Sequence, residues 1–304
     1  MFEARQLVFY TCVSPVHMGA GQAVGAIDNP IQREIHTGHP LIAGSGLKGA
    51  VRHHFTRTWK DDKLIARLFG PERDASEHAG AIAFTDAALV AFPVRSLKNT
   101  FVYATCPTAL ARLKRLAGRE ATWSVPEVAE GSAKAADGSA IANGRLVLEA
   151  FDFAAATDDG VKVVAAWLAG NALPQSAEHD FFRTKLSTDL MVLSDTEFGH
   201  FVRHATVVEA HVKIDNNTGT AAPGALFYTE NLPPEALLAG LLLSSVERRK
   251  GRDTDGLMDA QAVLAAVLRD AGERKGLADH LLQVGGDATA GRGLIVVHPA
   301  GEGA

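Results

Sequence analysis

A single carboxylate, Asp28, stands in the stretch AVGAIDNPIQRE between a glycine-rich run and Pro30. An aspartate in Asp-Asn-Pro commonly starts a turn by bonding its own backbone two residues on. Beside a polyanion, however, a lone carboxylate is electrostatically unfavourable unless it holds a metal ion or takes a proton. The local sequence is therefore compatible with a turn residue and with a group that acts on a phosphodiester.

Basic side chains accumulate after Asp28, although the whole chain has a net charge of −5. Residues 31–60 contain five lysines and arginines and one acid. The segment GSGLKGAVRHHFTRTW predicts a helix with Ser45 as its N-cap, in which Lys48 and Arg52 share a face. Small residues at the helix start, Gly46 among them, would let a phosphate backbone approach closely. The pattern indicates a groove for a polyanion or, alternatively, an ordinary solvated helix face.

A second glycine cluster, GGDATAGRG, occupies residues 285–293. Successive small residues such as Gly286 can turn backbone N–H groups toward an anion. Arg292 adds a guanidinium that can bind phosphate in a forked geometry. A glycine-rich hairpin loop between two strands explains the segment equally well.

Other site chemistries have little support in the sequence. The first glycine cluster, GAGQAVG, lacks the spacing and the following helix of a dinucleotide site, and no P-loop string occurs. His17, His36 and His39 could bind zinc, but the last two lie in a predicted turn that would not align ligands. Cys12 and Cys106 lie in apolar, strand-like runs and indicate buried thiols rather than a disulfide framework.

The composition is that of a globular chain, with 304 residues of which 47% are apolar and 21% charged. No apolar run reaches the roughly 20 residues that span a membrane, and MFEARQLVFY does not resemble a secretory signal. We therefore expect a cytoplasmic protein without membrane contact. The acidic net charge argues mildly against a generic nucleic-acid coat but allows a local basic groove.

Predicted strands and helices are mixed without strict alternation, which favours an α+β fold over a doubly wound sheet. DLMVLSDTEFGHFV predicts a strand followed by a short helix capped by Ser194 or Asp195, and MDAQAVLAAVLRDAG predicts a helix. The strands around NNTG predict a hairpin. PPEALLAGLLLSSVE is either a buried strand or a helix, and residues 119–144, which are low in pattern, predict a surface insertion.

Five segments taken together resemble one protein family. In order along most of the chain they read SPVHMGAG, IDNPIQREIHTGHPLIAGSGLKGAVR, VLSDTEFGHFV, GALFYTENLPPEAL and VGGDATAGRG. They are similar to the repeated backbone subunit of the type III-B (Cmr) CRISPR effector complex, a Cas7-like member of the RAMP superfamily. The last segment is typical of the whole superfamily, whereas the DNPIQRE-type segment with SGLKGAVR is more specific to this subunit.

The resemblance implies a single α+β domain over residues 1–304 with a modified ferredoxin-like, RRM-type palm. Finger elements would be inserted around 15–45 and 95–190, and a β-hairpin thumb would span about 205–230. It also implies an endoribonuclease that acts within an assembled complex. Its partners would be a guide CRISPR RNA, a complementary single-stranded target RNA, further copies of itself in a filament and other Cmr subunits.

By the same resemblance, Asp28 is the cleavage residue and works with a divalent metal, Mg²⁺ or Mn²⁺. His17 and Glu230 match further contributors to cleavage. Together with the local patterns, the resemblance gives as RNA-binding candidates Ser45, Gly46, Lys48, Arg52, Gly286 and Arg292. Two alternatives stay open: a non-catalytic scaffold that binds guide RNA, and an unrelated enzyme that binds a nucleotide in its glycine loops.

Overall fold

The computed structural model describes residues 2–21, 25–72, 78–222, 224–248 and 256–301. The strands in these ranges are β1 Ala4–Cys12, β2 Leu41–Ile42, β3 Ile82–Phe84, β4 Ala87–Arg95, β5 Phe101–Thr105, β6 Ser132–Ala135, β7 Arg145–Leu148, β8 Phe151–Thr157, β9 Leu190–Leu193, β10 Val207–His211, β11 Phe227–Asn231, β12 Leu237–Ser244, β13 His280–Gln283 and β14 Leu294–Pro299. The α-helices are α1 Gly44–Thr58, α2 Asp62–Phe69, α3 Pro107–Ala117, α4 Asp159–Asn171, α5 Asp180–Thr188, α6 Asp195–His204 and α7 Ala260–Leu268.

Within the described residues, twelve strands form one sheet of order β13-β14-β1-β12-β4-β5-β9-β6-β8-β7, with β2 attached to β4 and β3 to β12. Strand β1 pairs antiparallel with β12 and β14. Its side chains alternate between two hydrophobic cores, with Val8 and Tyr10 in one and Leu7 and Phe9 in the other. Both faces of β1 are thus covered, which explains its continuous apolar sequence.

Helices α1, α2, α6 and α7 contribute to the first core, and α3 and α4 contribute to the second. Helix α1 buries Leu47, Val51 and Phe55, which recur every four residues along one face. Helix α6 starts with the expected cap, because Ser194 and Glu197 form a capping box. No helix in the described part of the chain is long and apolar enough to cross a membrane.

Six strands of the large sheet curl back on themselves. The path β4-β5-β9-β6-β8-β7 returns to its start, because Ser96, next to the end of β4, bridges Leu148 of β7. A backbone hydrogen bond of 2.9 Å from Glu149 N to Arg95 O adds to this closure. Apolar side chains that include Leu146 and Met191 are completely buried within the first core.

Two expectations about elements are decided by the strand pairing. The surface insertion expected at 119–144 is wrong for its second half, because β6 lies between β8 and β9 inside the sheet. Its inward residues Ala133 and Ala135 are buried, and alanine gives none of the β-branched signal that identifies a strand. The segment PPEALLAGLLLSSVE, for which both a strand and a helix were expected alternatives, contains strand β12. This strand pairs with β1 along eight residue pairs.

Strands β10 and β11 form a separate antiparallel hairpin. The predicted turn at NNTG is confirmed: the side chain of Asp215 accepts from the backbone N–H groups of Asn217 and Thr218, and Gly219 has a positive φ of 69°. An isolated bridge between Ile214 and Ala221 extends the hairpin beyond β10. The limits predicted for the fingers and the thumb stay predictions.

Candidate functional site

The segment that carries Asp28 folds back on residues 18–20. Gly19 bridges Ile31, Ala20 N donates to Pro30 O at 2.8 Å, and Gln32 N donates to Met18 O at 2.8 Å. Asp28 belongs to this loop, of which residues 22–24 fall outside the described residues. We call residues 28–33 the Asp28 segment.

The Asp28 segment runs along the outer edge of β11. Asn29 N donates to Tyr228 O at 3.0 Å, and Glu230 N donates to Asn29 O at 2.9 Å. The exposed carboxylate of Asp28 accepts from Tyr228 N through Oδ2 at 2.7 Å. A turn bond to the backbone two residues later cannot form, because Pro30 has no N–H. The partner of Asp28 is therefore a strand 200 residues away in the sequence.

His17 is anchored to the same edge of β11. Its Nδ1 lies 2.7 Å from the backbone oxygen of Glu230. A carbonyl oxygen only accepts, so Nδ1 carries the proton and Nε2 of the neutral ring is the free acceptor. A Cβ on Gly19 would lie 3.0 Å from Nε2, so the glycine leaves this nitrogen room. His17 is thus arranged to accept a proton at Nε2.

Glu230, in contrast, turns its carboxylate inward. Its side chain is 3% exposed and lies 2.5 Å from Arg33 Nη2. Thr206 Oγ1 and Ile31 N also donate to it, at 2.8 and 3.0 Å. The structure brings Glu230 to the site, but as a buried ion pair behind the surface rather than as a group that faces a ligand.

The glycine loop 285–293 joins the site through His17. Gly286 N donates to His17 O at 2.9 Å, so this N–H is already used within the chain. A Cβ on Gly285 would lie 2.2 Å from the same oxygen and 3.0 Å from Met18 Sδ. The glycine loop, the His17 segment and, through a close contact of Met18 with Gly46, the start of α1 therefore converge.

The start of α1 differs from the expectation. The helix begins at Gly44 with Ala43 as the N-cap, so Ser45 as N-cap is wrong. The carboxylate of Asp86 replaces a local cap by accepting from Gly44 N at 2.8 Å. Ser45 is exposed in the first turn, and the N–H groups of Ser45 and Gly46 have no acceptor within the helix. This end of α1 presents backbone donors and a positive dipole end.

Lys48 and Arg52 lie one turn apart on α1, as predicted, and both are half-buried. Neither side chain forms an ion pair with any residue that the structure describes. Burial and the neighbouring Arg52 lower the pKa of Lys48. Two like charges held side by side would be stabilised by an anion.

Two other cations of the expected basic surface are already paired. Arg33 is bound to Glu230, so the basic window 31–60 is weaker than its sequence indicates. Arg292 makes an ion pair with Glu209 of β10, in which both carboxylate oxygens accept from Nη2. The glycine loop is thereby tied to the hairpin, and Arg292 meets an anion only if Glu209 releases or shares it.

The residues described by the structure hold no group of three or more His, Cys, Asp or Glu side chains that could hold a metal ion. Asp28 presents an exposed carboxylate beside His17 at this site. Mg²⁺ is often bound through one or two carboxylates while substrate phosphates and water supply the other ligands. The donor set fits a metal that arrives with a phosphate and does not fit a permanent metal centre such as zinc.

Comparison with known proteins identifies the family. Residues 9–296 match the model of the RAMP superfamily. The chain belongs to the RAMP superfamily. Within this superfamily it is 33% identical over 301 residues to the CRISPR system Cmr endoribonuclease Cmr4 of Pyrococcus furiosus, a match that covers 97% of this chain and 95% of the relative. The resemblance to the Cmr backbone subunit is therefore confirmed.

Solved RAMP structures share the fold. A crystal structure of oligomeric Cmr4 from Pyrococcus furiosus matches with a TM-score of 0.71 at 28% identity, over 97% of both chains. A cryo-EM structure of type III-B Cmr-beta bound to cognate target RNA matches with a TM-score of 0.72 over 98% of both chains. At 19% identity, this match supports a shared fold and nothing about function. The expected α+β fold with a ferredoxin-like palm is confirmed.

Several residues of the site have no motif of their own. Thr206 and Tyr228 contact Glu230 and Asp28 from the hairpin, and Glu209 pairs with Arg292. Arg33 appeared in the sequence only as one cation of a basic window. No local pattern identifies these four, since each acts through a partner far away in the chain.

Proposed function

We propose that this chain is the repeated backbone subunit of an RNA-guided antiviral complex, binding guide RNA and cleaving complementary target RNA with a divalent metal. One observation carries the cleavage part. Asp28 and His17 are anchored to the same edge of β11 at residues two apart, which places the anchors about 7 Å from each other. A carboxylate and a proton acceptor at that spacing can act on one phosphodiester.

RNA brings its own nucleophile, the 2′-hydroxyl next to the scissile phosphate. As this oxygen bonds to phosphorus, its proton passes to Nε2 of His17. The bond from phosphorus to the 5′-oxygen breaks, and that oxygen takes a proton from solvent. Asp28 would hold a divalent ion, whose positive charge would offset the charge growing on the phosphoryl oxygens. The protein's main contribution is to hold the reacting groups in line.

The start of α1 and its cationic pair support guide binding. Ser45 and Gly46 offer backbone donors, and Lys48 and Arg52, which form no ion pair with a described residue, offer two charges further along the helix. These groups recognise the backbone and not the bases, as expected where base pairing supplies sequence specificity. The relatives' names point the same way, one as an endoribonuclease and another as part of a complex bound to cognate target RNA.

The hairpin supports the proposed thumb and filament. Six apolar side chains on it are about 40–55% exposed. They are Val208, Val212, Ile214, Leu226, Phe227 and Tyr228. A cluster of exposed apolar side chains usually marks a site of interaction. Such side chains suit contact with splayed bases or with a neighbouring copy, and a solved relative is described as oligomeric.

The test of catalysis is Asp28→Asn in a reconstituted complex with a complementary target RNA. The amide keeps an oxygen that can accept from Tyr228 N but removes the charge that would hold a metal. We expect target binding to persist and cleavage to fall by at least about 100-fold, as for other lost groups in transition-state stabilisation. Cleavage at the wild-type rate would show that Asp28 is not the catalytic residue.

Removal of divalent ions separates the enzyme from the scaffold alternative. With EDTA, the wild-type complex should bind target but leave it intact, and Mg²⁺ or Mn²⁺ should restore the products. A scaffold without catalysis would give no products under any condition. Cleavage that persists in EDTA would contradict the metal requirement. Whether the carboxylate of Asp28 is needed would then be decided by the Asp28→Asn variant.

A further inference from the structure

An ionic cluster around the buried carboxylate of Glu230 lies directly behind the proposed cleavage site. It consists of Arg33, Thr206 and Glu230 and is called the Arg33–Glu230 cluster below. The carboxylate of Glu230 receives three donors: Arg33 Nη2 at 2.5 Å, Thr206 Oγ1 at 2.8 Å and Ile31 N at 3.0 Å. These donors surround the two carboxylate oxygens, and the side chain is 3% exposed. A metal ion or a phosphate would have to displace one of them to reach Glu230.

Arg33 connects this carboxylate to a third part of the chain. Its Nη1 donates to Gly38 O at 2.9 Å and to Val202 O at 2.8 Å. Val202 lies in the last turn of α6, where the backbone carbonyl groups have no N–H donor within the helix. One guanidinium therefore joins the end of α6, the Asp28 segment and β11.

The cluster stands at the inner end of the Asp28 segment. From Asp28 to Ile31 this segment follows β11 through four hydrogen bonds, of which the one from Ile31 N to Glu230 is the innermost. The backbone oxygen of Glu230 also holds His17 Nδ1. Both groups assigned to the chemistry are thus positioned relative to the same residue.

Buried ion pairs resist partial disruption. Removing one partner leaves an uncompensated charge in the interior, which is far more destabilising than losing an exposed pair. Arrangements in which the Asp28 segment lifts from β11 would break the contact of Ile31 with Glu230 and are disfavoured for that reason. Small displacements of reacting groups have large consequences, since a shift of about 1 Å can reduce a rate about 100-fold.

We propose that Arg33 and Glu230 are positioning residues, which hold Asp28 and His17 in register on β11 without touching RNA or metal. This role for Glu230 rests on the proposed function, because it presupposes that Asp28 and His17 perform the cleavage. It replaces the expectation that Glu230 itself takes part in the chemistry. It also adds Arg33, which the sequence presented only as a surface cation.

A double-mutant cycle in the assembled complex tests the proposal. The variants are Arg33→Met, Glu230→Gln and the two together, and the readout is cleavage of pre-bound target in a single turnover. We expect each single change to lower the rate about 10- to 100-fold with target affinity unchanged, and the double variant to be no slower than the slower single one. Losses that multiply in the double variant would show that Glu230 acts on the substrate independently of Arg33, and would overturn the proposal.

Arg112→Met is the matched control. Arg112 pairs with Glu34 at 2.6 Å next to the Asp28 segment and has the same 21% side-chain exposure as Arg33. It makes no contact with Glu230, so cleavage should stay within about threefold of wild type. A loss as large as that of Arg33→Met would indicate a general loosening of the loop and would contradict a specific role for the cluster.

Hydrogen exchange of the full chain provides a readout that does not depend on activity. In Arg33→Met and Glu230→Gln, the amides of Tyr228 and Ile31 should exchange at least about tenfold faster, while amides of β12 stay unchanged. Glu230→Gln keeps the side-chain volume and serves if Arg33→Met does not fold. Unchanged exchange at Tyr228 would refute the positioning role. If Asp28→Asn still cleaves, the proposed catalytic function is wrong. The hydrogen-exchange experiment tests the positioning of the Asp28 segment independently of that outcome.

Discussion

At the residue scale, the site is defined by which atoms are left free. The two ends of the His17 ring differ, since Nδ1 is bound to Glu230 O and Nε2 has room beside Gly19. The two carboxylates differ in the same way, with that of Asp28 exposed and that of Glu230 enclosed by donors. Chemistry is therefore expected at Asp28 and His17, and support at Glu230.

His17→Asn tests the proton acceptor at this scale. The asparagine amide can still donate to Glu230 O in place of Nδ1–H, but nothing replaces Nε2. We expect cleavage by the assembled complex to fall about 10²- to 10⁴-fold, the usual contribution of general acid–base catalysis, with target binding retained. His204→Asn, an exposed histidine at the end of α6, is the control and should cleave normally. Full activity of His17→Asn would exclude a proton transfer at His17.

The sequence predicts these residues only in part. The family resemblance assigns Asp28 and His17 to cleavage, whereas the local sequence of Asp28 is equally compatible with a turn. That turn was impossible for a reason visible in the sequence, the missing N–H of Pro30. Their actual partners, Tyr228 and Glu230, lie about 200 residues away, and a single sequence carries no signal for such a pairing.

At the element scale, three pieces meet around the site: the start of α1, the glycine loop and the β10–β11 hairpin. Met18 contacts the first two, and the ion pair of Arg292 with Glu209 joins the last two. The glycine loop and the basic helix were predicted from sequence. The connection of the glycine loop to the hairpin through Glu209 was not, because an isolated acid in a strand gives no sign of its partner.

Glu209→Gln is expected to strengthen RNA binding. In the present pairing both carboxylate oxygens of Glu209 accept from Arg292 Nη2, a donor that a phosphate would otherwise use. Neutralising it should tighten guide binding by about three- to tenfold in a filter assay at fixed salt. Arg292→Ala should weaken binding and lower the salt slope by about one unit. The control is Glu149→Gln, an acid paired with Arg95 instead. Unchanged affinity in Glu209→Gln would mean that Arg292 does not bind RNA.

The cationic face of α1 leads to a separate expectation. Lys48→Glu/Arg52→Glu should weaken guide RNA binding by at least about tenfold and reduce assembly, because each phosphate contact contributes to the salt-dependent affinity. Native mass spectrometry of the complex and the salt dependence of guide affinity would measure this. Arg57→Glu/Lys63→Glu makes the same charge change on exposed positions of α1 and α2. If both pairs had equal effects, overall charge rather than this face would determine binding.

At the scale of the whole molecule, the protein is one large sheet with helices on both faces. The candidate site lies beside this sheet, on the β10–β11 hairpin and the neighbouring loops. The fold class followed from the mixture of predicted strands and helices, and the capped start of α6 was visible in its sequence. Strand β6 was missed because two alanines form its buried face. Helices α4 and α5 were not predicted, and the closure of six strands depends on a contact between Ser96 and Leu148 that no periodicity reveals.

Stability of the whole chain should depend on Glu235. Burial raises the pKa of its carboxyl from 4.5 to about 7, although Tyr103 donates to it. A raised pKa means that the folded state holds the proton more tightly, so this contribution is complete below pH 4.5 and is lost as the pH rises through 7. The loss amounts to roughly 1–3 kcal/mol after allowance for partial exposure.

Glu235→Gln should therefore unfold a few degrees higher than wild type at pH 8 and at about the same temperature at pH 4.5. The glutamine stays neutral and can still accept from Tyr103. Glu127→Gln changes an exposed acid and should show no difference at either pH. A Glu235→Gln variant with the same melting temperature as wild type at pH 8 would show that this carboxyl is not destabilised by ionisation.

The position of the Asp28 segment along β11 has one more consequence, which concerns solubility. A two-stranded hairpin that stands apart from the main sheet has exposed backbone edges, and such edges can recruit strands of other molecules. The Asp28 segment covers the outer edge of β11 with its own hydrogen bonds. Variants that free this segment would therefore expose the unpaired backbone edge of β11 beside several apolar side chains. We expect such variants to aggregate as well as to lose activity.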